Sequence, residues 1–152
     1  MTDTDDLIAF LRARLDEDEQ VAKAAASGPW SETGRDSVGE GMVHSDSTGW
    51  AVVGSVKTGY GPDAPYANVS LNAAHIARHD PARALREVTA KRRIVDAYAE
   101  VAEFYRPDPG ERYETADGHV AALHDVVRDL ASVYGDHPDY RSEWAPDAEI
   151  ST

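Results

Sequence analysis

His75 and His79 stand four residues apart in a stretch with helical character, so they share one side of a helix. Two imidazoles at that spacing can hold one transition metal, with His137 or Asp80 as a third ligand. Two features pull the other way. Asp80-Pro81 is already explained as a helix start, a capping carboxylate followed by a proline at the first helical position, where its missing N–H costs nothing. No glutamate follows His75, so the metalloprotease pattern is absent. His119 and His124 are five apart and fall on different sides of a helix. A metal-dependent or small-molecule enzyme built on His75, His79 and His137 is therefore an alternative and not the main expectation.

Other chemistry is thinner still. Cysteine is absent, which removes thiolate zinc sites, iron–sulfur clusters, disulfides and a cysteine nucleophile. No serine sits in a Gly-x-Ser-x-Gly elbow. Glu100 with Glu103, and Asp125 with Asp129, have helical pair spacing, but neither pair is followed by the histidine a di-metal bundle requires. Gly59-Tyr60-Gly61 lacks the third glycine, the following helix and the lysine of a phosphate-binding loop, and reads as a turn. No catalytic residue is nominated and no cofactor is expected.

Charge says more. The chain carries a net −13, which disfavours nucleic acid and anionic membranes as partners of the whole surface. The stretch from Arg78 to Arg93 is the exception, with a net +4 against −17 for the remainder. Arg78, Arg86 and Arg93 could dock a protein partner, or a nucleic-acid phosphate through this helix alone, with Tyr140 and Trp144 as aromatic contacts. The plainer reading pairs the arginines with neighbouring carboxylates and buries Trp144 as a lid. The −17 remainder also admits acidic mimicry of nucleic acid.

The elements that must position these residues are mostly helical. Thr4 to about Ala26 carries Leu7, Phe10, Leu11, Leu15, Val21, Ala22 and Ala25 on an apolar stripe, with Thr4 as its N-cap and Ser27-Gly28-Pro29 as its stop. Met42–His44 and Trp50–Val56 form a hairpin around the turn Asp46-Ser47-Thr48-Gly49. Tyr66 to Val69 could add an edge strand, and Asn72 to His79 a short helix. A long helix from Pro81 to about Tyr105, stopped by Arg106–Gly110, buries Leu85, Val88, Val95, Ala99 and Ala102. A final helix from Gly118 to about Val133 buries Val120, Leu123, Val127 and Leu130, with Gly135 as its C-cap. His137 to Trp144 is a turn with at most one helical turn. At Asp80, substitution by Asn or Ser should be far milder than by Ala, since each keeps a capping oxygen.

Two segments, His75 to Ile94 and Tyr134 to Trp144, together with Leu7–Glu19 and Gly28-Pro29-Trp30, resemble an actinobacterial family, domain of unknown function 6221. The resemblance covers both ends and the central helix and leaves Ser31 to Ser70 poorly matched. It implies no activity. Family members often carry cysteines shortly before the final helix, where this chain has Gly118-His119-Val120. The Ala-, Arg- and Asp-rich composition fits a GC-rich actinobacterial or phage genome.

The expectation is one α+β domain over residues 1–152, mostly helical, with three principal helices packed on a small antiparallel hairpin and a frayed tail from about 145. No apolar run approaches the roughly 20 residues of a membrane span, and the acidic N-terminus is unlike a signal peptide, so a cytoplasmic location is expected. The expected role is that of a small acidic, non-enzymatic accessory or regulatory protein that binds another macromolecule, a protein in the first place.

Overall fold

A computed structural model describes residues 2–33, 41–56, 67–104 and 118–146. In chain order they form α1 (Asp3–Ala24), β1 (Trp30–Thr33), β2 (Gly41–Ser45), β3 (Ala51–Val56), α2 (Ala67–Arg78), α3 (Pro81–Phe104), α4 (Gly118–Ser132) and a 3-10 turn (Ser142–Trp144). The fold is α+β and mostly helical, as expected. The expected turn at Gly59–Pro62 and the helix stop at Arg106–Gly110 lie outside the described residues.

Two compact units can be distinguished. One draws on Met1–Glu17 and Val88–Thr152, the other on the intervening Asp18–Glu87. In the first, residues of α1, α3 and α4 share a core: Leu7, Ile8, Phe10, Leu11 and Leu15 from α1, Val88, Val95 and Tyr98 from α3, and Val127 and Ala131 from α4. Each such large apolar side chain contributes roughly 1.5–3 kcal/mol by leaving water. Trp144, on the 3-10 turn, joins the same core. The apolar stripe of α1 ends earlier than its sequence suggests, because Val21 and Ala25 are exposed.

The second unit holds an antiparallel sheet in the order β1-β2-β3. The hairpin is the one expected. Ser45 N–H donates to the Trp50 carbonyl at 3.0 Å, and Gly49 takes φ 71° in the turn, where a side chain would be strained. Gly49 N–H closes that turn on the Ser45 carbonyl at 2.7 Å. β1 was not anticipated. Its four residues are nearly all exposed and do not alternate, and they become a strand by pairing with β2 from Trp30↔Ser45 to Thr33↔Met42.

α2 packs across all three strands, its Ala73 and Ala77 sharing a cluster with Val43 of β2. The small face of a three-stranded sheet needs only a small-residue helix to cover it. One expected element is corrected: in place of an edge strand over Tyr66 to Val69, Ala67 to Val69 form the first turn of α2. Short apolar runs do not separate strand from helix by periodicity.

The caps show what the sequence does and does not reveal. α1 is capped by Thr2 in place of Thr4: Asp5 N–H donates to Thr2 Oγ1 at 3.2 Å, and Thr2 N–H donates back to the Asp5 carboxylate at 2.9 Å. This is a reciprocal capping box. At Asp80 the expected cap is present, with Arg83 N–H donating to Oδ1 at 2.6 Å. Gly135 is not a left-handed C-cap, since its φ is not positive. The end of α4 tightens instead into bonds from Tyr134 N–H to Ala131 O and from Gly135 N–H to Ser132 O.

Candidate functional site

The arginines of the basic stretch divide into two groups. Arg83 Nε donates to Glu87 at 2.7 Å, one turn on along α3. Arg92 reaches Asp16 of α1 at 2.5 Å, within the first unit, and Arg12 reaches Asp96 at 2.8 Å. Arg78, Arg86 and Arg93 are exposed, and among the described residues none of them meets a carboxylate. Helical geometry explains part of this. Residues three or four positions from Arg86 in α3 include no acid, and Asp96, three positions from Arg93, is held by Arg12.

Tyr140 and Trp144 are placed differently. Trp144 is only 2% exposed and offers almost no face to a partner, so it serves the core. Its ring lies 5.1 Å from that of Phe10, its Nε1–H donates to Asp3 at 3.0 Å, and the Arg141 guanidinium stacks 5.1 Å from its centroid. Tyr140 is half-buried, 6.1 Å from both Phe10 and Trp144. Arg141 also pairs with Asp6 at 2.9 Å. Residues 134–144 thus wrap Phe10 in rings, from Tyr134 through His137 and Tyr140 to Trp144.

His75 and His79 do come together. Both are exposed, His75 on α2 and His79 in the turn just after it, with ring centroids 4.3 Å apart. His137 belongs to the other unit and is occupied. Its Nε2 meets an Arg14 guanidinium nitrogen, and its Nδ1 faces the Asp139 N–H at 3.1 Å. Asp80, the other proposed third ligand, is buried and spends both carboxylate oxygens on backbone donors, Oδ1 on Arg83 N–H and Oδ2 on Trp30 N–H at 3.2 Å. Among the described residues no three His, Asp or Glu side chains gather where they could hold an ion.

Two features escaped the sequence. One is a cavity of about 630 Å³ in the first unit, walled by Ile8, Ala99 and Ala102 and rimmed by Arg12, Glu103 and His124. Its volume suits a small molecule, and neither His75, His79 nor His137 lines it. The other is Arg14, buried at 8% exposure, which pairs with Glu17 at 2.8 Å and lies 5.5 Å from the Phe10 ring. Its place on the stripe was legible, four residues after Phe10, but a charged residue is not read as core.

The model of a family of unknown function, DUF6221, matches residues 4–146. The chain belongs to that family. No curated protein and no solved structure matches it. In this DUF6221 chain the Gly28-Pro29-Trp30 and His79-Asp80-Pro81 motifs meet each other. A Cβ added to Gly28 would lie 2.9 Å from Asp80 Oδ2, and the next residue but one donates to that same oxygen.

Proposed function

We propose that this DUF6221 chain is a non-enzymatic accessory protein that binds an acidic surface of another protein through the exposed arginines of α2 and α3. The observation that carries the reading is the contrast between Arg78, Arg86 and Arg93, exposed and without a described carboxylate, and Arg12, Arg83 and Arg92, each held by one. In a chain of net −13, guanidinium groups left outside the internal pairing are the ones available to a partner. Arginine suits the task, because its planar fork binds carboxylates in two-point fashion. Trp144, buried in the core, offers no docking face and acts by holding residues 134–144 in place, while Tyr140 is half-buried.

The test is co-purification from the source organism with wild-type chain and with Arg86→Glu/Arg93→Glu as bait. A partner that is enriched by wild type, lost with the charge reversal and released as salt rises supports the reading. A partner retained equally by both baits contradicts it.

A further inference from the structure

Two imidazoles stand at the C-terminal end of α2, His75 in its last turn and His79 just past its final residue, and each keeps a ring nitrogen unused among the described residues. His79 Nδ1 lies 2.8 Å from the backbone carbonyl of His75. A carbonyl oxygen only accepts, so Nδ1 carries the proton and Nε2 keeps its lone pair. A carbonyl on one ring nitrogen and an open lone pair on the other is how metal-bound histidines are oriented. The His75 ring, inclined 44° to that of His79 with centroids 4.3 Å apart, makes no hydrogen bond to a described residue. Both rings are exposed, so a metal could reach them.

We propose that His75 and His79 form a two-imidazole chelate for a divalent transition metal, copper(II) in preference to zinc(II), with water completing the coordination. Imidazole suits both metals, and copper stands highest in the affinity order of divalent first-row ions. The site needs no third protein ligand, and neither Asp80 nor His137 takes part. Arg78, exposed on the same last turn of α2, sets its strength. A cationic side chain three residues after His75 and next to His79 in the chain repels a dication and lowers the affinity. The inference is independent of the acidic-partner reading. Arg78→Glu separates the two, weakening an acidic partner and tightening the metal.

The experiment is a copper(II) chloride titration of the full chain, purified without a histidine tag. It is followed by calorimetry and by electron paramagnetic resonance, which registers nitrogen ligation. One copper per chain with nitrogen splitting is expected. His75→Ala and His79→Ala should each weaken binding by about tenfold or more, since loss of an outer-shell partner alone costs about 10–100-fold. His137→Ala should leave it unchanged, Arg78→Glu should tighten it, and acidification should release the metal as the imidazoles protonate. Circular dichroism of each variant confirms that α2 persists. Binding that survives in the His75→Ala/His79→Ala double variant, or that depends on only one of the two histidines, overturns the chelate. So does the absence of nitrogen splitting.

Discussion

Each unit fixes an irregular segment of chain, and the two do so with opposite chemistry. In the first, residues 134–144 are held mainly by rings around Phe10, with Trp144 as the fully buried anchor. In the second, Ser27 to Trp30 is held by hydrogen bonds. Ser45 Oγ donates to the Ser27 carbonyl at 2.6 Å, Asp46 N–H to the Pro29 carbonyl at 2.9 Å, Trp30 N–H to Asp80, and Trp30 Nε1–H to the Ala26 carbonyl at 2.9 Å. Core size accounts for the difference. The first core contains leucines, tyrosine and tryptophan, and the second is centred on Val43, Ala73 and Ala77. Burial stabilises in proportion to apolar area, so a core of valine and alanines leaves more of the holding to polar groups. The ring-held segment should therefore fear truncation, and the bond-held segment the loss of a single acceptor.

The largest effect is expected at Trp144. Trp144→Ala should cost about 3–5 kcal/mol, the range for deleting a buried aromatic. Trp144→Phe keeps a ring against Phe10 but loses the bond to Asp3, and should be milder than Trp144→Ala. Denaturant midpoints measure both. If Phe proves as damaging as Ala, the polar bond is the anchor and the contrast between the units collapses.

Asp80 comes next. Asp80→Ala removes a cap, about 0.5–2 kcal/mol, and a second bond to Trp30 N–H worth about 0.5–1.5 kcal/mol. Hydrogen exchange should show the Trp30 and Arg83 amides losing protection together. Asp80→Asn and Asp80→Ser should be milder than Asp80→Ala, but neither replaces both bonds. Asn opposes one of the two N–H groups with its own donor, and Ser has a single oxygen. Both should fall between wild type and Ala. A wild-type midpoint for Asp80→Asn would show that the bond to Trp30 contributes nothing.

Gly28→Ala tests the same knot from the other side. Its Cβ would lie 2.9 Å from Asp80 Oδ2, closer than real Cβ contacts come, and 3.1 Å from Ala82 Cβ, tighter than most of them. Crowding of this kind costs roughly 1–3 kcal/mol. In an Asp80→Ala background, which removes the nearer obstacle, the cost should shrink. Strict additivity of the two substitutions would mean that Gly28 is required for some other reason.

What could be read from the sequence follows this division. The long helices, their apolar faces and the hairpin turn at Gly49 were legible, because periodicity and turn chemistry are local. The Asp80 cap was legible for the same reason. Its second bond was not, since Trp30 lies 50 residues away and nothing in Trp30–Thr33 alternates. Tyr98, fully buried, was passed over although it lies three residues from Val95 and four from Ala102, because tyrosine is as often exposed as buried. At the candidate surface, sequence gave the arginines and their excess charge. The Arg83–Glu87 pair, four residues apart, is local, but sequence could not say that Arg92 is held by a carboxylate while Arg78, Arg86 and Arg93 are not, because the partners of Arg12 and Arg92 lie about 80 residues away in the chain.

The smallest effect on stability is expected where the largest effect on function is proposed. Arg86→Glu should leave the denaturant midpoint within about 0.5 kcal/mol of wild type, the usual range for surface changes away from special features. Arg93→Glu places a second acid three residues from Asp96, and like charges at that spacing cost about 0.2–0.5 kcal/mol, so Arg93→Ala is the cleaner neutral control. Arg92→Glu is the comparison that sharpens the result. It breaks the pair with Asp16 and sets two acids facing each other, so it should lose more stability than either, though a partly exposed pair contributes at most about 1 kcal/mol. Partner binding should rank the other way, with Arg86→Glu and Arg93→Glu defective and Arg92→Glu nearly intact, because Arg92 is already committed within the chain. If Arg92→Glu abolishes binding while Arg86→Glu leaves it untouched, internal pairing does not decide which arginines meet the partner. The distinction between held and free guanidinium groups would then lose its functional meaning.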